Sequence, residues 1–159
     1  MDNKISIDPH LAARFTKYPD RLAAIERDYD SATRLALSFQ VDRQGQLNRE
    51  IDRFAAQLRE YHLSLYLCDE RAKILASELR ADLVRLSKQT DSGLVSRTII
   101  SLESELGSLD VLRLSIEDSL AFAKQARKNL KTISETCNLA ALIRLCKSWS
   151  DYATESRMK

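Results

Sequence analysis

Glycine and proline are almost missing from this chain, with 3 and 2 of them in 159 residues. Tight turns and hairpin strands draw heavily on both, so a fold built from many short connected strands is excluded. Aromatic residues make up only 6%, too few for a β-sandwich core and compatible with a helical seam. No stretch approaches the roughly 18 uninterrupted apolar residues of a membrane-spanning helix. The first eight residues lack the apolar segment of a secretory signal. Cysteine is scarce and odd in number. Cys68, Cys137 and Cys146 sit among apolar helix positions and read as buried packing residues of a reducing compartment, not as a disulfide frame. Charge of one sign is also missing: 25 basic against 23 acidic residues leave a net +2. That near balance gives no global pull toward nucleic acid. The expectation is a soluble cytoplasmic protein.

The residues that carry most catalysis are equally thin. His10 and His62 are the only histidines and lie far apart. His62, between Tyr61 and Leu63, reads as a surface or seam-edge residue. No cysteine or histidine pair has metal-ligand spacing, no glycine-rich phosphate loop occurs, and no Glu-x-x-His motif for a helical di-metal site is present. Acidic pairs such as Asp69–Glu70 and Glu117–Asp118 read as solvated faces. The sequence therefore predicts no enzyme, no catalytic residues, no cofactor and no metal.

What is abundant is helix-forming sequence. Hydrophobic residues make up 44% and charged residues 30%, the second figure above the usual quarter, and the length suits a single helical domain over 1–159. Asp8–Pro9 has the form of an N-cap followed by proline at the first helical position. From Leu11 to Phe39 the apolar residues recur every three or four positions. Pro19 predicts a kink or a restart within this N-terminal helical segment, 8–40. The clearest seam runs Leu47, Ile51, Phe54, Leu58, Tyr61, Leu65, Cys68, Ala72, Leu75, Leu79. It defines a first hairpin arm over 46–89, with a slip at Asp82 that moves the seam to Leu83 and Leu86. Thr90–Gly93 is a turn signal, with Asp91 or Ser92 able to cap the next helix. A second arm, 94–155, carries Val95, Leu102, Leu109, Ile116, Ala123, Leu130 and Ile133, with Gly107 as a bend or close approach. The predicted fold is all-α: a long antiparallel, coiled-coil-like hairpin with an N-terminal helix.

Gly45 leaves two paths open. The chain can run straight through it, so that residues 29–41 cover the apolar strip of 139–152. Alternatively it turns there, the N-terminal helix packs back as a three-helix bundle, and 139–152 is left for a partner. The distances from the Ser92 turn match well enough to favour the continuous hairpin.

Function must then come from helix faces. Leu63, Leu67, Ile74, Ala81 and Val84 form a second apolar stripe off the main seam, with Ile100, Val111 and Leu114 doing the same on the returning arm. A helix pair needs only one seam. This tip stripe, and the end strip Leu139, Leu142, Leu145 and Trp149, are the candidate partner-binding residues. Residues 91–123 hold two basic and six acidic residues (net −4), and 124–159 eight and three (net +5), which favours antiparallel copies. The leading expectation is a structural or adaptor subunit that binds itself, as an antiparallel homodimer, or other helical subunits. Lys124, Arg127, Lys128 and Lys131 share one helical face and suggest a second expectation, a curved helical dimer on an anionic membrane surface. A third is a helical chaperone or escort for a secreted or assembling partner. Nucleic acid is disfavoured because no aromatic platform is interleaved with the cations.

Overall fold

The computed structural model describes residues 9–89 and 93–158. They form four helices: α1 (Pro9–Leu37), α2 (Leu47–Ser87), α3 (Gly93–Thr136) and α4 (Leu139–Met158). No strand occurs among the described residues, and the all-α class with helical hairpins holds. Pro9 opens α1, where its missing N–H costs nothing. Its expected cap, Asp8, and the expected turn at Thr90–Ser92 lie outside the described residues. The helices pack as two compact units.

The first unit holds the N-terminal part of α1 to Glu26, α2 from Asp69, and α3 to Leu114. Leu22, Ile25, Leu75, Leu79, Leu102 and Leu109 are buried in it. Each such side chain stabilises the fold by about 1.5–3 kcal/mol relative to exposure. Here α1 does not restart at Pro19: the helix runs through it. An interior proline costs about 3 kcal/mol, and contacts on both sides offset it. Tyr18 and Leu22 are buried, and Arg14 and Arg21 form ion pairs with Asp82 and Glu78 of α2.

Nor does the α2 seam slip at Asp82. The three- and four-residue spacing runs on through Leu75, Leu79, Asp82 and Leu86, and Asp82 itself is 1% exposed. A carboxylate occupies a core position because its oxygens are satisfied. The Tyr18 hydroxyl donates to Oδ2, Arg14 reaches Oδ1 at 2.5 Å, and Arg85 reaches Oδ1 at 3.3 Å. Buried charge is tolerated only with partners of this kind. Gly107 makes no close approach, since a Cβ there would meet nothing within 4 Å, and α3 continues through it.

The second unit holds α1 from Arg27, the 38–46 connection, α2 to Cys68, α3 from Ser115, and α4. The favoured path, one helix straight through Gly45, is not taken. The chain turns, and α1 packs back on α2. Arg43 and Gln46 offer no apolar group to hold a straight helix, and the turn has bonds of its own. The Asp42 side chain accepts from the Gln44 N–H at 3.0 Å, and Gly45 N donates to the Asp42 carbonyl at 3.0 Å. Glu50, 1% exposed, accepts from the Asp42 N–H at 2.6 Å and from Arg53. Phe39 closes on Phe54 with ring centroids 4.8 Å apart.

The second arm also differs from expectation. It breaks into α3 and α4 at Cys137–Asn138. Cys137 takes φ 50°, a left-handed conformation that costs an L-residue about 1–2 kcal/mol. The Asn138 side chain accepts from Ala141 N at 3.2 Å and so caps α4. The break lets α4 fold back. Trp149 enters the core of this unit among Phe54, Tyr61 and Phe122, and its Nε1 donates to the Ala36 carbonyl at 3.2 Å. That carbonyl lies in the last turn of α1, where helical partners run out.

Candidate interaction faces

A single helix can bury only the face turned toward its neighbours, and α2 is apolar on two. In the second unit Leu63 and Leu67 are 59% and 53% exposed, and in the first Ile74 and Val84 are both 54% exposed. Ala81 is exposed as well. At 100° per residue these positions fall on the side of α2 opposite its core residues. Together with Glu70 and Ser77 they keep a four–three spacing from 63 to 84, the period of a coiled-coil seam. Every member of the predicted tip stripe is therefore outside the cores. Tyr66, also exposed, widens the stripe. Sequence reading passed over it because it falls outside the four–three series, although it neighbours Leu67.

On α3, in the first unit, Ile100, Val111 and Leu114 are exposed. They too fall opposite the core positions Leu102 and Leu109.

The end strip is not a surface. Leu142, Leu145 and Trp149 are buried and Leu139 is half-buried. The expectation of a partner-binding strip at these residues fails because the break at Cys137–Asn138 turns α4 back onto its own chain. Leu142, Leu145 and Trp149 close the core of the second unit instead. The cysteines divide as well: Cys68 is buried, Cys146 half-buried and Cys137 exposed. Burial and the neighbouring Glu50 carboxylate push the Cys146 thiol up to about 12, which leaves it an unreactive thiol at neutral pH. Cys137 is exposed because the left-handed joint lifts it off the seam its spacing implied.

Lys124, Arg127, Lys128 and Lys131 are all exposed on α3. Arg127 and Lys131 line a groove of about 470 Å³ with Arg59, Leu130 and Ile51. Asp52 and Glu135 line the same groove, so the cations there face two carboxylates and the local field is reduced.

Sequence reading did not foresee two polar networks. The Asp82 cluster of the first unit is one. The other lies in the second unit, where the Tyr29 hydroxyl is 2.7 Å from Ser119 Oγ and the Tyr61 hydroxyl is 3.5 Å from Thr33 Oγ1. Desolvation pushes Tyr29 up to about 12, with the Ser119 contact pulling the other way. Tyr61 rises for the same first reason. These networks fix helix register.

Among the described residues, no group of three or more His, Cys, Asp or Glu could hold a metal ion, and no helix is long and apolar enough to cross a membrane. No protein-family model, no curated protein and no solved structure matches the chain.

Proposed function

We propose that this chain is a non-enzymatic structural or adaptor subunit of the cytoplasm that associates with a second copy through the outer face of α2. The observation that carries this reading is the two-faced character of α2. Its inner seam supplies the cores, while Leu63, Leu67, Ile74, Ala81 and Val84 remain in water at coiled-coil spacing. A lone hairpin has no use for a second seam, and apolar stripes of this length mark association surfaces. An antiparallel partner suits the face. A parallel, in-register copy would set Glu70 against its own equivalent, whereas reversing the copy moves Glu70 toward Ser77. Charge along α3 supports the same orientation. Gly93–Ala123 holds two basic and five acidic residues (net −3), and Lys124–Thr136 four basic and one acidic (net +3).

Light scattering across a protein concentration series tests this reading. With the α3–α4 joint eased into its bend by Cys137→Gly, the chain is expected to form a dimer that adding Leu67→Asp and Ile74→Asp converts to a monomer of unchanged helicity. A Cys137→Gly chain that stays monomeric at high concentration, or a dimer of it indifferent to the two aspartates, would overturn it. Exposure of the four α3 cations supports the second reading, contact with an anionic lipid surface. Co-sedimentation with anionic vesicles at low salt separates the two, and a protein left in the supernatant excludes the lipid reading.

A further inference from the structure

Apart from the Asn138 cap, the α3–α4 joint is bent against its own sequence. Leu130, Ile133, Cys137 and Ala140 keep helical spacing across it, and no glycine or proline occurs anywhere from 129 to 158. Among the described residues, Cys137 is the only non-glycine with positive φ. Helices commonly end on a residue in this conformation, but the residue is usually glycine. Thr136, Cys137 and Asn138 are all exposed, so no packing over the joint holds the bend. What keeps α4 down is its inner face, with Leu142, Leu145 and Trp149 buried and Trp149 bonded to the Ala36 carbonyl.

We infer that α4 is exchanged between two copies of this chain. Straightening through 136–139 makes α3 and α4 one helix and carries α4 off its own unit. The place it leaves, formed by Ala36, Phe54, Tyr61 and Phe122, then receives α4 of the second copy. The exchanged dimer makes the same core contacts as the closed monomer, so those contacts do not decide between the two forms. Two differences remain. The straight helix regains backbone bonds that the break forfeits at the end of α3 and the start of α4, and it releases Cys137 from left-handed backbone. Against this stand the loss of the Asn138 cap on α4 and the loss of translational freedom on pairing, the second of which makes the exchange concentration-dependent. Interconversion requires Trp149 to leave its core, so the dimer persists after dilution.

The joint can be biased both ways. Cys137→Gly removes the left-handed penalty and favours the closed monomer. Cys137→Ala with Asn138→Ala keeps that penalty and deletes the α4 cap, which favours the straight helix. Both are made with Leu67→Asp and Ile74→Asp, so that the α2 face contributes nothing, and are followed by light scattering in reductant. Far-UV circular dichroism and Trp149 emission report folding. The alanine pair is expected to raise the dimer fraction at least tenfold over the glycine variant, with dimers that survive dilution for hours.

A direct measurement uses the Phe122–Tyr152 stack, whose ring centroids are 4.0 Å apart. Chains carrying Phe122→Cys are mixed at high concentration with chains carrying Tyr152→Cys, both with Cys68→Ala, Cys137→Ala and Cys146→Ala, and then oxidised. A mixed 122–152 disulfide between chains is expected. Absence of that disulfide, equal dimer fractions in the glycine and alanine variants, or dimers lost within the dilution time would each overturn the exchange.

Discussion

The two units solve the same packing problem with different chemistry. In the first, three helical segments meet around aliphatic side chains, and α1 is tied to α2 by polar groups: Tyr18, Arg14 and Arg85 around Asp82, and Arg21 on Glu78. In the second, four helical segments meet around rings, with Trp149 against Phe54, Tyr61 and Phe122, and Phe122 stacked on Tyr152. Aromatic side chains bury more area per residue than aliphatic ones, which suits a core that must also retain a folded-back helix. The carboxylate in the first unit adds little net stability by itself, because its desolvation opposes its bonds. It fixes instead which turn of α1 faces which turn of α2, a register that a uniform leucine seam would leave free to slide.

Substitutions can break this contrast in order of expected effect. Trp149→Ala removes the largest side chain of the second core and the Ala36 bond, and is expected to cost about 3–5 kcal/mol in urea unfolding. Hydrogen exchange should rise in the second unit. Asp82→Ala in the first unit is expected to cost less, about 1–3 kcal/mol, because Arg14 and Arg85 can turn to water while the Tyr18 hydroxyl cannot. Asp82→Leu with Tyr18→Phe restores an apolar seam and should hold stability within about 1 kcal/mol of wild type or raise it. A large loss in that double variant would show that the carboxylate stabilises rather than registers.

Alkali sharpens the comparison further. Tyr29 in the folded chain holds its proton to about 12, against an ordinary tyrosine value near 10. Its contribution is therefore complete below pH 10 and is lost as pH rises toward 12. Tyr61 shifts in the same direction, so unfolding followed by circular dichroism should steepen across that window. Tyr29→Phe should flatten it. The smallest effect is a gain. Gly107→Ala fills open space on a continuous helix and should stabilise the first unit by about 0.5–1 kcal/mol.

Periodicity made most of the fold legible. The seam of α2 was readable almost residue by residue, because each apolar position had its neighbour three or four residues away. The outer stripe was readable for the same reason, since a residue placed opposite the seam of a packed helix has little choice but solvent. Asp82 was misread as a slip because a spacing rule that counts only apolar residues cannot see a carboxylate satisfied by a tyrosine 64 positions away. The end strip was misread because its apolar pattern is the same whether the helix runs on or folds back.

Sequence by itself determined that this chain is helical, where its inner seam lies, and that α2 carries apolar residues on two faces, since these follow from the 3.6-residue period and from the scarcity of glycine and proline. Only tertiary structure decided that the chain turns at 38–46, that α3 ends at Thr136, and that Trp149 points inward. The turn rests on bonds made only once the chain has bent, Asp42 with Glu50, and the fold-back of α4 on a bond across 113 positions, Trp149 with Ala36. A local pattern holds no information about partners that only the finished packing brings within reach.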